Sequence, residues 1–510
     1  VLKSILTVGG WTMGSRLLGF LRDMLIAASL GAGPIADAFF IALKLPNLFR
    51  RLFGEGAFNA AFVPAFASTL AGNGAAQARA LAERMSTLMT LWLTLLTVLG
   101  MVFMPQVLHV LAPGFTDEPV RFGLAVEMTR ITFPYLVFIC LTALISGVLN
   151  GLDRFAAAAG APVLFNILSM AALFALAPYT ATPGHALAWG VTVSGAAQLL
   201  LVWVAAARAG MPLRIVSLPR ITPEVRLVLR RMGPGLIGAG VTQLNLAVDL
   251  VIASLLPAGA VSYLYYADRI GQLPLGVIGA AVGTAMLPLL AKQLRGGQAL
   301  SAHRTMNRAL ELSLALALPA AAAQSVLAWP IISALFLRGA FGELEAAATA
   351  AALTVYALGL PAFILVKAFV PGFFARGDTA TPVKISLVVV VLNLALNLVL
   401  TRYLAHVGIA LATGLSAWVN VAILAVMLRR RGQWRPDRRL RRRVPRLLIA
   451  TLAMAAVLVA LRLMLPDPVG STARLVVLAV YVVAGLVTYF GLAQAIGALH
   501  LGEIRRRGRG

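Results

Sequence analysis

The sequence predicts an all-α polytopic membrane protein of about fourteen transmembrane helices. They form two six-helix lobes related by a pseudo-two-fold axis along the membrane normal, followed by two further C-terminal helices. Three observations carry this. The 510 residues are 60% hydrophobic and only 12% charged, where a soluble domain carries about 25% charged residues. The basic residues cluster in alternate loops between apolar runs. The chain also repeats itself at a shift of about 225 residues, far longer than a solenoid period.

Runs of spanning length fall at 6–31, 35–70, 85–111, 122–150, 155–177 and 186–207. After a basic loop come 232–256, 261–291, 309–336, 346–374, 382–404 and 407–428, and then 447–465 and 475–499. Lys and Arg gather at 79–84, 154, 208–231, 292–308, 376–384, 429–446 and 505–509. About thirty basic residues then face one side and about five the other, which places both termini in the cytoplasm. The opposite loops include the acidic TDEP at 116–119. The net charge of +25 therefore reads as topology control rather than nucleic-acid binding. The run RRRGQWRPDRRLRRR at 429–443 also suits contact with anionic headgroups. No cleavable signal peptide is expected, because the first apolar run passes into a second charged one. The single cysteine, Cys140, excludes intramolecular disulfides and multi-cysteine metal sites.

The repeat pairs DMLIAASLGAG at 23–33 with DLVIASLLPAG at 249–259, FPYLVF at 133–138 with LPAFIL at 360–365, and GVLNGLD at 147–153 with GFFARGD at 372–378. About six spans fit in one shift. Because six is even, the halves keep the same orientation. The expected domains are an N-lobe at 1–210, a C-lobe at 211–432, and a C-terminal helix pair at 433–510 outside the repeat.

Ionisable groups inside spans are costly, by about 2.5–3.5 kcal/mol at the bilayer centre on insertion scales, and mark substrate or ion pathways. The first span carries Arg16, Arg22 and Asp23. The second carries Asp37, Lys44, Arg50, Arg51 and Glu55, with Pro46 inviting a kink. The eighth carries Asp268 and Arg269. Arginines outnumber carboxylates here, and guanidinium forks bind phosphate oxygens in pairs. A cationic cavity between the lobes is expected to select a phosphate or diphosphate. Asp23 is expected to neutralise Arg16 or a charge on the second span. Glu127 and Arg130 stand three apart on one helix face and are expected to pair, as are Arg51 and Glu55. Asp249 and Asp378 are candidates for coupling an ion, Na⁺ or H⁺. The competing reading makes Asp249 the partner of a lobe arginine and Asp378 a loop cap. Lys367 lines the cavity or snorkels. The five histidines show no ligand spacing, and no cofactor is called for.

SRLLGFLRD at 15–23, ADAFFIALKLPNLFRRLFGEGAFNAAFVP at 36–64 and YYADRIGQLPLG at 265–276 resemble the MurJ (MviN-type) lipid II flippases. These belong to the multidrug/oligosaccharidyl-lipid/polysaccharide exporter superfamily. The resemblance runs along the whole chain. It implies an inner-membrane protein of peptidoglycan biosynthesis that moves lipid II from the cytoplasmic to the periplasmic leaflet. The family's functional residues carry over onto Arg16, Arg22, Asp37, Arg50, Arg51 and Arg269, with Asn47, Glu55, Asp23 and Asp268 beside them.

The implied mechanism is alternating access driven by membrane potential or a coupling ion. The implied partners are lipid II, membrane lipids and the cell-wall synthesis machinery, with no nucleic acid. Two rivals come from the same superfamily: a flippase for another polyprenyl-diphosphate oligosaccharide and an ion-coupled drug antiporter. The extra helix pair and the cationic cavity argue against the antiporter. An enzyme is disfavoured, since neither H-E-x-x-H nor G-x-S-x-G is present.

Overall fold

A computed structural model describes residues 2–52, 57–214, 220–465 and 468–499. Glu55 and the terminal cluster at 505–509 lie outside them. The described residues are helical apart from loops and one isolated bridge between Arg338 and Phe341. In chain order the helices are α1 (Leu2–Leu30), α2 (Pro34–Arg50), α3 (Ala57–Asn73), α4 (Ala75–Val102), α5 (Met104–Leu111) and α6 (Pro119–Thr132). Next come α7 (Tyr135–Gly151), α8 (Ala156–Leu176), α9 (Pro183–Arg208), α10 (Pro223–Ser254), α11 (Ala260–Pro274) and α12 (Ala280–Arg295). The last are α13 (Ala299–Val326), α14 (Ala328–Phe336), α15 (Glu343–Phe374), α16 (Ala380–Arg430), α17 (Arg438–Met464) and α18 (Ser471–Ala495). Among the described residues, nine helical segments are long and apolar enough to cross a membrane.

Several expected spans are broken, each at or beside a proline that cannot donate to the helix ladder. The run 85–111 is α4 and α5, divided just before Pro105. The run 122–150 is α6 and α7, meeting at Phe133–Pro134. The run 261–291 passes from α11 into α12 through a π-helical turn, Leu275–Gly279, directly after Pro274. Conversely, two expected spans, 382–404 and 407–428, run on as α16. Its 51 residues would extend about 77 Å if straight, more than twice a bilayer's hydrocarbon core. It folds back at Ala405 (φ 49°, ψ −130°), and His406 Nε2 fixes the corner against the Ala348 carbonyl at 2.9 Å.

The chain divides into two compact units, 1–262 and 263–510. In the first, α2 is the central element. Ala36 to Leu43, Leu45 and Pro46 are all buried, under α6, α7 and α9. α1 packs on α8, and α3 lies against α4, α7 and α10. Phe58, Phe62 and Phe66 stack along α3 with centroids 5.1 and 5.9 Å apart.

In the second unit α15 is central, packed by α12, α13, α14 and α16. α17 and α18 join through an apolar layer of Leu447, Met454, Leu458, Tyr481 and Tyr489. The Tyr489 hydroxyl donates to the Ala315 carbonyl of α13 at 2.6 Å. The far side of α18 leaves Val476, Val480, Val483, Leu486 and Val487 exposed, the composition expected of a face in contact with lipid tails.

Candidate functional site

The proline at 46 shapes the charged end of α2. Lacking an N–H, it leaves the Ala42 carbonyl without its helical donor. The Thr132 hydroxyl of α6 donates there at 2.7 Å. One residue on, Asn47 Nδ2 donates to the Leu43 carbonyl at 2.7 Å. The same side chain's Oδ1 accepts from Arg50 Nε at 3.0 Å. Asn47 therefore positions Arg50. Arg51, at the C-terminal cap of α2, is exposed. Its expected partner Glu55 lies outside the described residues.

On α1, Arg22 is only 8% exposed. Its Nε and Nη2 donate to Asp23 Oδ1 at 3.2 and 2.8 Å, and Nη1 donates to Asn166 Oδ1 of α8 at 3.1 Å. The Phe165 ring stands 5.3 Å from the guanidinium carbon, a cation–π contact. Asn166 also donates to the Ser15 carbonyl at 3.0 Å, tying α8 to α1. One partner of Asp23 is thus its own neighbour. Adjacent helical residues ordinarily diverge, but the long arginine stem wraps back to the carboxylate. Arg16 is half-buried on the same helix. Sequence reasoning missed Asn166, whose signal is one amide inside the apolar run APVLFNILSM.

Asp37 lies elsewhere in the unit, fully buried. Oδ2 accepts from Arg121 Nη2 at 2.6 Å and the Gly259 N–H at 2.7 Å. Oδ1 accepts from the Ser262 N–H at 2.9 Å and its hydroxyl at 2.6 Å. A carboxylate has about four acceptor positions, so this one has none left for a ligand. Arg121 is 1% exposed. It also donates to the Leu256 carbonyl at 3.3 Å and lies 3.8 Å over the Phe115 ring. The cluster fastens α2 and α6 to the segment entering α11. Arg121 was not a sequence candidate. Its signal is that it is an isolated cation beside the acidic TDEP loop.

The local pair expected between Glu127 and Arg130 does not form. Glu127 instead reaches His185 Nε2 on α9 at 3.1 Å. Arg130 Nε donates to the Met101 carbonyl at 2.9 Å, one of the last-turn acceptors α4 leaves without a helical donor.

In the second unit, Asp268 and Arg269 are consecutive on α11. Asp268 is exposed and accepts from Gln272 at 2.9 Å. Lys367 is exposed on α15, its stem beside Gly279. Asp249 is half-buried on α10, in the first unit. Asp378 caps the entry to α16 by accepting from the Thr381 N–H at 2.9 Å and pairs with Arg431 at 2.6 Å. Hydrogen bonds from Thr381 and Arg431 hold its carboxyl down at about 2. Among the described residues no group of three His, Cys, Asp or Glu side chains could hold a metal ion.

The chain as a whole has known relatives. A family profile described as "Lipid II flippase MurJ" matches residues 26–480. A "Probable lipid II flippase MurJ" of Rhizobium meliloti (strain 1021) is 45% identical, covering 99% of this chain and 96% of the relative. The "Lipid II flippase MurJ" of Burkholderia cenocepacia is 37% identical over 85% of each chain. Among solved structures, "Lipid II flippase MurJ, inward closed conformation" superposes with a TM-score of 0.80 at 24% identity, covering 96% of this chain and 98% of that one. An inward-facing multidrug resistance MATE transporter of the MOP superfamily gives 0.66 at 15% identity, covering 82% and 94%. Both structural likenesses concern the fold. The profile and the end-to-end sequence identity show that this chain, a multi-pass membrane protein, belongs to the MurJ lipid II flippase family.

Proposed function

We propose that the protein flips lipid II from the cytoplasmic to the periplasmic leaflet of the bacterial inner membrane, with both termini in the cytoplasm. The observation that carries this reading is the alignment over 99% of the chain with a relative named as a lipid II flippase. The charged helices supply the chemistry. A lipid-linked diphosphate brings about two negative charges into a region that must exclude hydrocarbon, and Arg16, Arg22, Arg50, Arg51 and Arg269 offer guanidinium forks to it. Asn47 and Asn166 hold Arg50 and Arg22 in fixed directions, which lowers the ordering cost of binding. Asp23 keeps a dehydrated Arg22 tolerable when no substrate is present.

Alternating access needs a seal that can break. On the charge-based orientation, the Asp37 cluster lies toward the outer side. Its four hydrogen bonds would hold that side shut while the arginines receive substrate from within. Asp249 is a candidate for ion coupling, and the bonds of Asp378 to the Thr381 N–H and Arg431 fit the loop-cap alternative for that residue. The C-terminal helix pair, 433–510, is the natural wall for the polyprenyl tail, its exposed valine and leucine face being apolar.

The test is complementation of a strain depleted of its own lipid II flippase. R16A, R22A, R50A and R269A are each expected to fail or grow poorly. Full rescue by all four would overturn the arginine assignment. A binding comparison of lipid II with a non-phosphorylated polyprenol separates diphosphate recognition from tail recognition, and equal affinity would remove the diphosphate from the mechanism.

A further inference from the structure

The basic run at 429–443 is not uniform. Arg431 pairs with Asp378. Arg439 and Arg443 both converge on Glu311 of α13, which also takes Arg308, while Asp437 accepts from Arg308 and caps α17 through the Leu440 N–H. Glu311 is 5% exposed, so this cluster is an internal clamp joining α13 to the start of α17. Trp434 and Asn307 complete it, the indole donating to the amide oxygen at 3.0 Å.

Among the described residues, the carboxylates beside this run, Asp378, Glu311 and Asp437, each accept on both oxygens. Arg429, Arg430, Arg435 and Arg441 remain, all exposed. They line one cavity of about 630 Å³ with Pro436 and Val426. Ligand pockets span about 300–1,000 Å³, so the space is ample for a headgroup and its water.

We propose that this cavity is a binding site for the phosphate of an anionic phospholipid, separate from the transport path. Four guanidinium groups with no acid among the lining residues leave a local surplus of positive charge, and arginine forks match phosphate oxygens. The start of α17 adds its helix dipole in the same sense. Val426 decides between a lipid and a free anion. It is 47% exposed and lies three residues before Arg429 on α16, about 4.5 Å nearer the membrane interior. An acyl chain leaving the cavity meets an apolar wall there. The bound lipid would brace α16 against α17, at the junction where the C-terminal helix pair joins the rest of its unit.

The test is native mass spectrometry of the full-length protein titrated with dioleoyl-phosphatidylglycerol, with dioleoyl-phosphatidylcholine and inorganic phosphate as parallel probes. Wild type should retain phosphatidylglycerol in preference to phosphatidylcholine. Each arginine near such a surface is worth about fivefold, so R430Q/R435Q/R441Q should bind on the order of 100-fold more weakly. R438Q/R442Q removes charge from the same helix start outside the cavity and should change binding by less than about fivefold. Unaltered binding in the triple variant, or the same loss per charge in both variants, would overturn the site. Displacement of the lipid by an equal concentration of inorganic phosphate would overturn the lipid assignment in favour of a free anion. Should the triple variant fail to fold, R441Q alone carries the test with an expected loss of about fivefold.

Discussion

Replacing Asp37 by Asn changes one atom's chemistry at the centre of a sealed cluster. The carboxylate takes four donors, from Arg121, Gly259 and twice from Ser262. An amide keeps one acceptor oxygen and turns an NH₂ toward two of those donors. Arg121, 1% exposed, loses its buried counter-ion. Removing one partner of a buried pair typically costs 3–5 kcal/mol, because the remaining charge stays dehydrated, and D37N should fall in that range. Arg121→Met should cost less. It keeps the side-chain volume over Phe115, and Asp37 retains three donors, so the loss is the charge-assisted bond to Asp37 with the weaker, longer contacts to the Leu256 carbonyl and Glu118, about 1.5–3 kcal/mol in all.

The assay is denaturant unfolding of the detergent-solubilised protein followed by tryptophan fluorescence, with the D37N/R121M double variant closing the cycle. Strong coupling is expected, the double variant costing less than the sum of the singles. A D37N cost below about 1 kcal/mol, or a cost for R121M exceeding that for D37N, would refute the view that Asp37 is a structural fastening whose burial depends on Arg121.

Further outcomes follow from other contacts. N166A should reduce lipid II transport in reconstituted vesicles more than it reduces stability, since Arg22 stays paired with Asp23 but loses its direction. The stability loss should be about 1–3 kcal/mol, from one unmet buried donor. R22K should not restore activity, because an ammonium cannot bridge Asp23 and Asn166 as the fork does. G359A should destabilise the second unit by about 1–3 kcal/mol: a Cβ there would meet the Gly414 Cα at 2.8 Å, backbone against backbone, where α15 crosses α16. A thermal melt compared with that of G491A, at an open helical site on α18, checks it. Asp378 has a depressed pKa of about 2. Its contribution is complete above the ordinary carboxylate value near 3.8 and is lost as pH falls toward 2. The partly exposed pair is worth no more than about 1 kcal/mol. D378N should therefore melt lower than wild type at neutral pH and match it near pH 2.

The resemblance of three stretches, at 15–23, 36–64 and 265–276, already pointed to the family that the whole-chain identity shows. Helical content and approximate span positions were equally legible, because apolar runs of membrane length have few alternatives once backbone groups must pair internally. The proline at 46 lies inside α2, which stays helical through it, whereas 105, 134 and 274 mark breaks through the loss of a donor. What the sequence could not show was which charge meets which. Glu127 and Arg130 share a helix face, so local spacing paired them; His185 on α9 and the open carbonyl of Met101 stood closer in space. Asp23 was expected to reach toward Arg16 or the second span; the arginine one residue away, which also folds back onto it, was not among the expected partners. Asp37 read as one more cavity acid, while Arg121, its partner 84 residues away, drew no attention.

The division between the two levels is physical. Composition and periodicity report the solvent a segment prefers, and for this chain that solvent is lipid over most of its length; helices, loop charge and their alternation follow from the sequence alone. Ion pairing inside a membrane depends instead on the few ångströms between side chains of different helices. Burial makes an unmet charge costly enough that partners are taken wherever packing supplies them. Only the tertiary structure could therefore divide this chain's arginines into those sealed by a carboxylate, such as Arg121 and Arg443, one held by a carboxylate and an amide together, Arg22, one directed by an amide, Arg50, and those that line an open cavity at the start of α17.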